Sequence, residues 1–507
     1  MATRVKESKQ AAVLPTSLAP TCPPPADTHP ADTWHDPIKP PREWRPLPEQ
    51  FSVAETACIT AASPQFWALA RLMPRNSHIV GMRGRKPLAP DYVKLLLACV
   101  SWQCISMLAT VTEVSFPSTW EAIRSTLEEH KPEQWDAVPE KCPSVSQMKS
   151  FNAKLAGLSD EWREQVSTAV AKQAVADAQA HGFLDPTRPF SWKNPDSRDF
   201  VATDGTVMKP TFGSGFDDSL GPQIVFNDVT AEIKPVGSKF LTTFVHGATP
   251  GSRIIIRADI VRPGPNGSPG GESEPIAKAV RDIAATSGGG LKGVIVDSVV
   301  RGSLVAELDR EGIVVVNHPH AKANPKRSKG GRHAEGRIER SVELPPMTHM
   351  TPHGTTCEHT LVMSGSVPYT RALDDEGNET FVELEVVEGL QRRNKSGVRR
   401  SYHYYKVPCI HGPFQHTHRL YPDDGSAINH GEVTRFYPTN TPQFHNLYGR
   451  RNATESWHAE LKRIRRRPPV RGIAMQSFYL SCLTVLQNAR NIERMRRAAA
   501  PPGGKAA

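Results

Sequence analysis

Between residues 199 and 319, β-branched runs bounded by glycine or proline alternate with stretches of helical period, and few folds accept their order. "DFVATDGTVMKP" (199–210), "SKFLTTFVHG" (238–247) and "SRIIIRADIVRPG" (252–264) read as three strands. "SEPIAKAVRDIAATSGGG" (273–290) reads as a helix, with Ile276, Val280 and Ile283 on one face and glycines at its end. The strand "GVIVDSVV" (293–300), the short helix "SLVAELDREG" (303–312) and the strand "IVVVNHP" (313–319) complete the order β-β-β-α-β-α-β. Runs such as "GVIV" and "IVVV" do not alternate, so their sheet is expected to be covered on both faces. The expected class is α/β.

The flanks have a different texture. Residues 1–48 are rich in Pro, Ala, Thr and Asp and read as a disordered arm. Residues 49–190 read as a helical N-terminal domain. "DYVKLLLACVSWQCISMLATV" (91–111) is apolar and proline-free, "PSTWEAIRSTLEEH" (117–130) opens as helices do, and "SDEWREQVSTAVAKQAVADAQAHG" (159–182) runs from a Ser159 cap to Gly182. Residues 321–444 read as a β-rich insertion, with short strands in "TLVMSGSVPYT", "TFVELEVVEG" and "RSYHYYKVPCI" and the basic loops "AKANPKRSKGGRH" and "QRRNKSGVRR". Residues 445–498 return to helix, and 499–507 read as a disordered tail. The 507 residues carry a net charge of +10, which favours a polyanionic partner. The eight cysteines are scattered, no apolar run spans a bilayer and the N-terminus lacks an apolar signal core. A reduced, cytoplasmic chain with no membrane association is expected.

Three acids stand out. Asp204 lies inside a strand, where Asp is disfavoured. Asp297 lies where "GVIV" turns polar, at the strand end where open α/β sheets place ligands. Glu455 lies in "YGRRNATESWHAELK" (448–462), where Tyr448, Arg451, Glu455 and Lys462 follow at steps of 3, 4 and 7. On one helix those four share a face, with Trp457, Leu461 and Ile464 nearly opposite. The bland alternatives are turn-capping for the two aspartates, a capping box from Asn452 to Glu455, and an i,i+4 ion pair between Arg451 and Glu455. Converging, the three carboxylates could hold two hard divalent cations for phosphoryl transfer.

These residues resemble the Y-R-E-K signature of a large group of bacterial insertion-sequence DDE transposases: Tyr448-x2-Arg451-x3-Glu455-x6-Lys462. "TDGT" (203–206) is similar to that family's first-Asp motif, and a β-rich insertion before the final Glu is shared. The resemblance covers residues 198–318 and 445–465. It implies a ribonuclease H-like catalytic core over 198–320 and 445–498, with Asp204, Asp297 and Glu455 binding two Mg²⁺ or Mn²⁺ ions. It implies Tyr448, Arg451 and Lys462 as contacts to double-stranded transposon-end DNA, strand transfer into target DNA, a homodimer in the synaptic complex, and nucleoid association when bound. Asp259 in "IIIRADIV" is the alternative second aspartate. The rival functions are another metal-dependent nuclease on the same fold and a non-catalytic DNA-binding derivative.

Two further patterns carry chemistry. Cys357, His359, Cys409 and His411 form two C-x-H pairs that could make a Cys₂His₂ zinc site; among 19 histidines, chance neighbours are the alternative. "GMRGRKPLAPDYVKLLLACV" (81–100) and "CPSVSQMKSFNAKL" (142–155) could form a helix-turn-helix, or could be ordinary bundle core.

Overall fold

The computed structural model describes residues 51–73, 89–104, 106–208, 224–226, 233–235, 238–247, 252–262, 271–319, 341–373, 376–422, 428–464, 468, 470 and 472–499. The N-terminal arm, the basic stretch 81–88, the loop 321–333, most of the basic run after Ile464 and the tail beyond Ala499 lie outside these residues. The chain is mixed α/β, and the described residues 51–371 and 382–499 belong to one compact unit.

Seven helices come first: α1 (Val53–Ala61), α2 (Pro64–Arg71), α3 (Asp91–Val100), α4 (Met107–Val114), α5 (Pro117–His130), α6 (Val145–Ala156) and α7 (Asp160–Ala180). Their starts follow capping chemistry. Ser52 and Ser144 close capping boxes with Glu55 and Gln147, and the Ser159 hydroxyl accepts from the Trp162 amide at 3.2 Å. The apolar run 91–111 does not make one helix. It breaks after Val100 and restarts at Ser106, whose hydroxyl accepts from the Ala109 amide at 3.1 Å. All ten residues of α3 are buried, including Asp91 and Lys94, which pair at 2.6 Å. A helix buried on every side cannot enter a DNA groove, so α3 is bundle core. In α6, Met148, Phe151 and Leu155 are buried and Lys154 pairs with Asp91 at 2.8 Å.

The central sheet contains β1 (Phe200–Met208), β4 (Ser238–His246), β5 (Arg253–Ile260), β6 (Gly293–Ile295) and β7 (Val314–Val316), in the spatial order β5-β4-β1-β6-β7. β1 runs antiparallel to β4 and β4 to β5, whereas β6 runs parallel to β1 and to β7. The parallel pairs require crossovers, supplied by α8 (Ser273–Thr286) and α9 (Ser303–Glu311). A small hairpin of β2 (Ile224–Phe226) and β3 (Ile233–Pro235), not expected from the sequence, interrupts β1 and β4.

Edge strand β5 is covered by the last helix, α13 (Ile473–Ala499). Asn488 Oδ1 accepts from the Ile255 amide and its Nδ2 donates to the Ile255 carbonyl, both at 2.7 Å, so a side-chain amide takes the place of a neighbouring strand. One hydrophobic core runs from α1 through the sheet to α13. The N-terminal helices are therefore continuous with the core that the sheet builds.

The insertion holds β8 (Ser341–Met350), β9 (Thr356–Ser364), β10 (Val367–Leu373), β11 (Glu379–Glu383), β12 (Glu385–Arg393), β13 (Arg399–Val407) and β14 (Phe414–Arg419). β8, β9 and β10 pair antiparallel, as do β12, β13 and β14. A second, small core of Leu344, Met347, Leu361, Met363, Leu384, Tyr405, Val407 and Val433 lies here. Short helices α10 (His430–Val433) and α11 (Pro442–Tyr448) lead back to α12 (Asn452–Ile464).

Candidate functional site

Strand β1 is central, and its register with β6 ends at Ala202 opposite Ile295. Two residues further along, Asp204 stands within β1 and Asp297 just past the end of β6. The turn after β6 is fixed from behind: Asn317, just past β7, donates to the Asp297 carbonyl at 3.1 Å, and Ser298 N donates to Asp297 Oδ1 at 2.7 Å. Asp204 accepts from the Gly205 amide at 2.9 Å and lies opposite Thr242 of β4.

Helix α12 lays Trp457 and Leu461, both fully buried, against the core; Ile464 is half-buried. Two polar contacts set its position along the sheet. His458 Nε2 lies 3.1 Å from Thr242 Oγ1, and the Thr454 hydroxyl lies 3.4 Å from Asp204 Oδ2 while donating to the Arg451 carbonyl at 2.5 Å. Burial pulls the His458 pKa down to about 4, and the charges of Lys462, Arg253 and Arg451 add to this, so the ring is neutral at pH 7.

The four signature residues do not lie on a single α-helix. Tyr448 ends α11, Gly449–Arg451 form a 3₁₀ turn, and Glu455 and Lys462 belong to α12. Asn452 is helical, with φ −58°, rather than an extended cap residue, and Glu455 lies against Arg451. The capping-box alternative is thereby set aside. The i,i+4 contact to Arg451 exists, but it is one of three. The guanidinium lies 3.4 Å from Glu455 Oε1, 3.5 Å from Asp297 Oδ2 and 3.7 Å from Asp204 Oδ2. Three acids, about 250 residues apart at the extremes, thus surround one cation. Their oxygens do not form a group in which all lie within 4.8 Å of one another; the described residues that do so are in the insertion.

The electrostatics follow from depth. The Asp204 side chain is 17% exposed, against 55% for Asp297 and 65% for Glu455. Burial pushes the Asp204 carboxyl above the ordinary range; Arg451 and the Gly205 amide pull it back, while Glu272 and Asp297 add to the rise. Burial works against the charge on Arg451, but Asp297, Tyr448, Asp204 and Glu455 outweigh it and leave the guanidinium pKa raised. Tyr448 stacks on Phe444 at 5.1 Å and meets the edge of His318 at 4.7 Å. Burial raises its phenol, against the pull of Arg451. Lys462 is exposed, two turns beyond Glu455.

Asp259, the alternative second aspartate, is elsewhere. It pairs with Arg257 at 2.6 Å, in a network where Arg257 also reaches Asp282 at 2.7 Å and Glu164 at 3.3 Å. Glu272 was not legible in the sequence: it precedes α8, where an acid is unremarkable, yet it faces Gly205 and pairs with Lys239. Of the C-x-H residues, Cys357, Cys409 and His411 converge, while His359 groups with Cys409 and with His349, which no sequence motif singles out.

No family model matches the chain, and no curated protein sequence matches it.

Proposed function

We propose that the chain is a DDE transposase that cleaves transposon-end DNA and transfers the strand into target DNA. The observation that carries this reading is the meeting of Asp204, Asp297 and Glu455, from the central strand, the end of its parallel neighbour and α12, around Arg451. Support also comes from the sheet: order β5-β4-β1-β6-β7, with the first three strands antiparallel and the last two parallel to β1, is similar to the ribonuclease H-like arrangement.

The donor set suits the metal this reading requires. All three side chains offer hard carboxylate oxygens, the ligands Mg²⁺ and Mn²⁺ prefer. Asp204, Asp297 and Glu455 would hold the ions, which when bound activate an attacking oxygen and stabilise a leaving one. The protein's own residues have distinct tasks. Arg451 draws down the Asp204 carboxyl, which desolvation pushes up, and balances the charge of the three acids. Its planar guanidinium, beside all three carboxylates, would grip a phosphate of the DNA with two parallel hydrogen bonds. Lys462 supplies an exposed point charge along the same helix, and Tyr448 a neutral donor held by stacking. Localisation with nucleoid DNA and a dimeric synaptic complex belong to the same reading. Among the described residues, no helix is long and apolar enough to cross a membrane.

The test uses a plasmid carrying the DNA that flanks the gene. Purified protein with Mg²⁺ is expected to cut at short inverted repeats and join the 3′ ends to a second plasmid. Cutting without joining would favour a hydrolytic nuclease; neither, with intact DNA binding, would favour a non-catalytic derivative.

A further inference from the structure

We propose that Cys357, Cys409, His411 and His349 form a structural zinc site that staples the tip of the β-rich insertion. The residues come from three separate places. His349 is on β8, directly opposite Cys357 on β9 in the hairpin register, and Cys409 and His411 lie in the turn between β13 and β14. Their ligand atoms meet in three pairs, with Cys409 common to two of them: Cys357 Sγ to His411 Nδ1 is 3.3 Å, His349 Nε2 to Cys409 Sγ is 3.3 Å and Cys409 Sγ to His411 Nδ1 is 3.7 Å. Zinc bonds of about 2.3 Å to sulfur and about 2.05 Å to nitrogen, at a tetrahedral angle, separate such atoms by about 3.6 Å. The observed spacings bracket that edge length.

Cys357, Cys409 and His411 are mutually within 4.8 Å and make the core of the site. His349 completes it from the side of Cys409. His359 is the competing fourth ligand, since its buried Nε2 has no hydrogen-bond partner and one of its ring nitrogens lies within 4.8 Å of the same sulfur. His349 is chosen because it is already in contact. The backbone also faces this sulfur: His411 N–H donates to Cys409 Sγ at 3.5 Å. Two thiolates and two neutral imidazoles give the donor set of a closed structural site, and binding releases the thiol protons.

The location gives the ion a task. The insertion's own core is only eight buried residues, and small cores depend on staples. A zinc ion here would tie the β8–β9 hairpin to the β13–β14 turn. Such a staple would serve the insertion whether or not the chain is a transposase.

The test is metal analysis of the full chain, purified in reducing buffer without chelator. About one zinc per chain is expected, falling at least tenfold in Cys409→Ser and His349→Ala and unchanged in His359→Ala and Cys142→Ser. Should Cys409→Ser fail to fold, chelator-stripped wild type is titrated with Co²⁺, which is expected to give tetrahedral d–d absorption with a thiolate charge-transfer band. Absence of both zinc and the Co²⁺ spectrum would overturn the site. So would a Cys357–Cys409 disulfide in the freshly purified protein. Loss of metal in His359→Ala but not in His349→Ala would overturn the ligand set.

Discussion

Arg451 occupies the centre of the acidic cluster, so its replacement tests both what the cluster binds and what it costs to keep it apart. If the three carboxylates ligate metal as proposed, the metal competes with the guanidinium for them. The contact with Asp204 is largely shielded, and such a pair contributes about 1 kcal/mol; those with Asp297 and Glu455, more than half exposed, contribute a few tenths each after solvent screening. The sum, about 1.5 kcal/mol, corresponds to roughly a tenfold change in a binding constant. Arg451→Ala is therefore expected to bind Mn²⁺ about tenfold more tightly than wild type, measured by calorimetry in the absence of DNA. Arg451→Lys should fall between the two, because an ammonium cannot span three partners in one plane. The same Arg451→Ala variant should bind DNA more weakly. Mn²⁺ affinity equal to wild type, or weaker, would refute the idea that Arg451 and the metal compete for the same oxygens.

Other outcomes follow from the same geometry. Replacing Arg451 or Lys462 with Ala should lower the slope of log K against log salt for end DNA by somewhat under one unit for each phosphate no longer neutralised; slopes equal to wild type would make these residues helix architecture only. Trp457→Ala should destabilise the protein by about 3–5 kcal/mol in chemical denaturation, since the ring is fully buried beside the site. Asp309 joins α9 to the insertion through Ser401 at 2.6 Å and Gln391 at 3.2 Å, and burial pushes its carboxyl to about 6. Its folded value exceeds the unfolded value near 3.9, so its contribution is full below about pH 4 and is lost as pH rises through 6. Asp309→Asn should accordingly gain about 1–3 kcal/mol over wild type at pH 8 and nothing at pH 4, by thermal melts at both.

Much of the sheet could be read from sequence because its strands are rich in β-branched residues and its crossovers strongly periodic; Ile276, Val280 and Ile283 are all buried where the period put them. The hairpin at 224–226 and 233–235 escaped because each strand is three residues long, too short to show alternation. The break in 91–111 escaped because its signals, the C-cap Ser101 and the N-cap Ser106, are small residues within an apolar run. At the candidate site, the spacing of Tyr448, Arg451, Glu455 and Lys462 was visible, since it is local. The role of Arg451 as a hub was not: its partners Asp204 and Asp297 lie 247 and 154 residues away, and only the parallel register of β1 and β6 brings them together. His349 was hidden for the same reason, being placed opposite Cys357 by strand pairing rather than by spacing.

The central claim is that Asp204, Asp297 and Glu455 act together as ligands for catalytic metal. It is tested most directly by single-turnover cleavage of end DNA in Mg²⁺ by Asp204→Asn, Asp297→Asn and Glu455→Gln, with DNA affinity measured alongside in Ca²⁺. Each variant is expected to lose cleavage by at least a thousandfold while binding DNA as wild type does, because basic residues rather than metals position the duplex. Cleavage at the wild-type rate by any one of the three would contradict it.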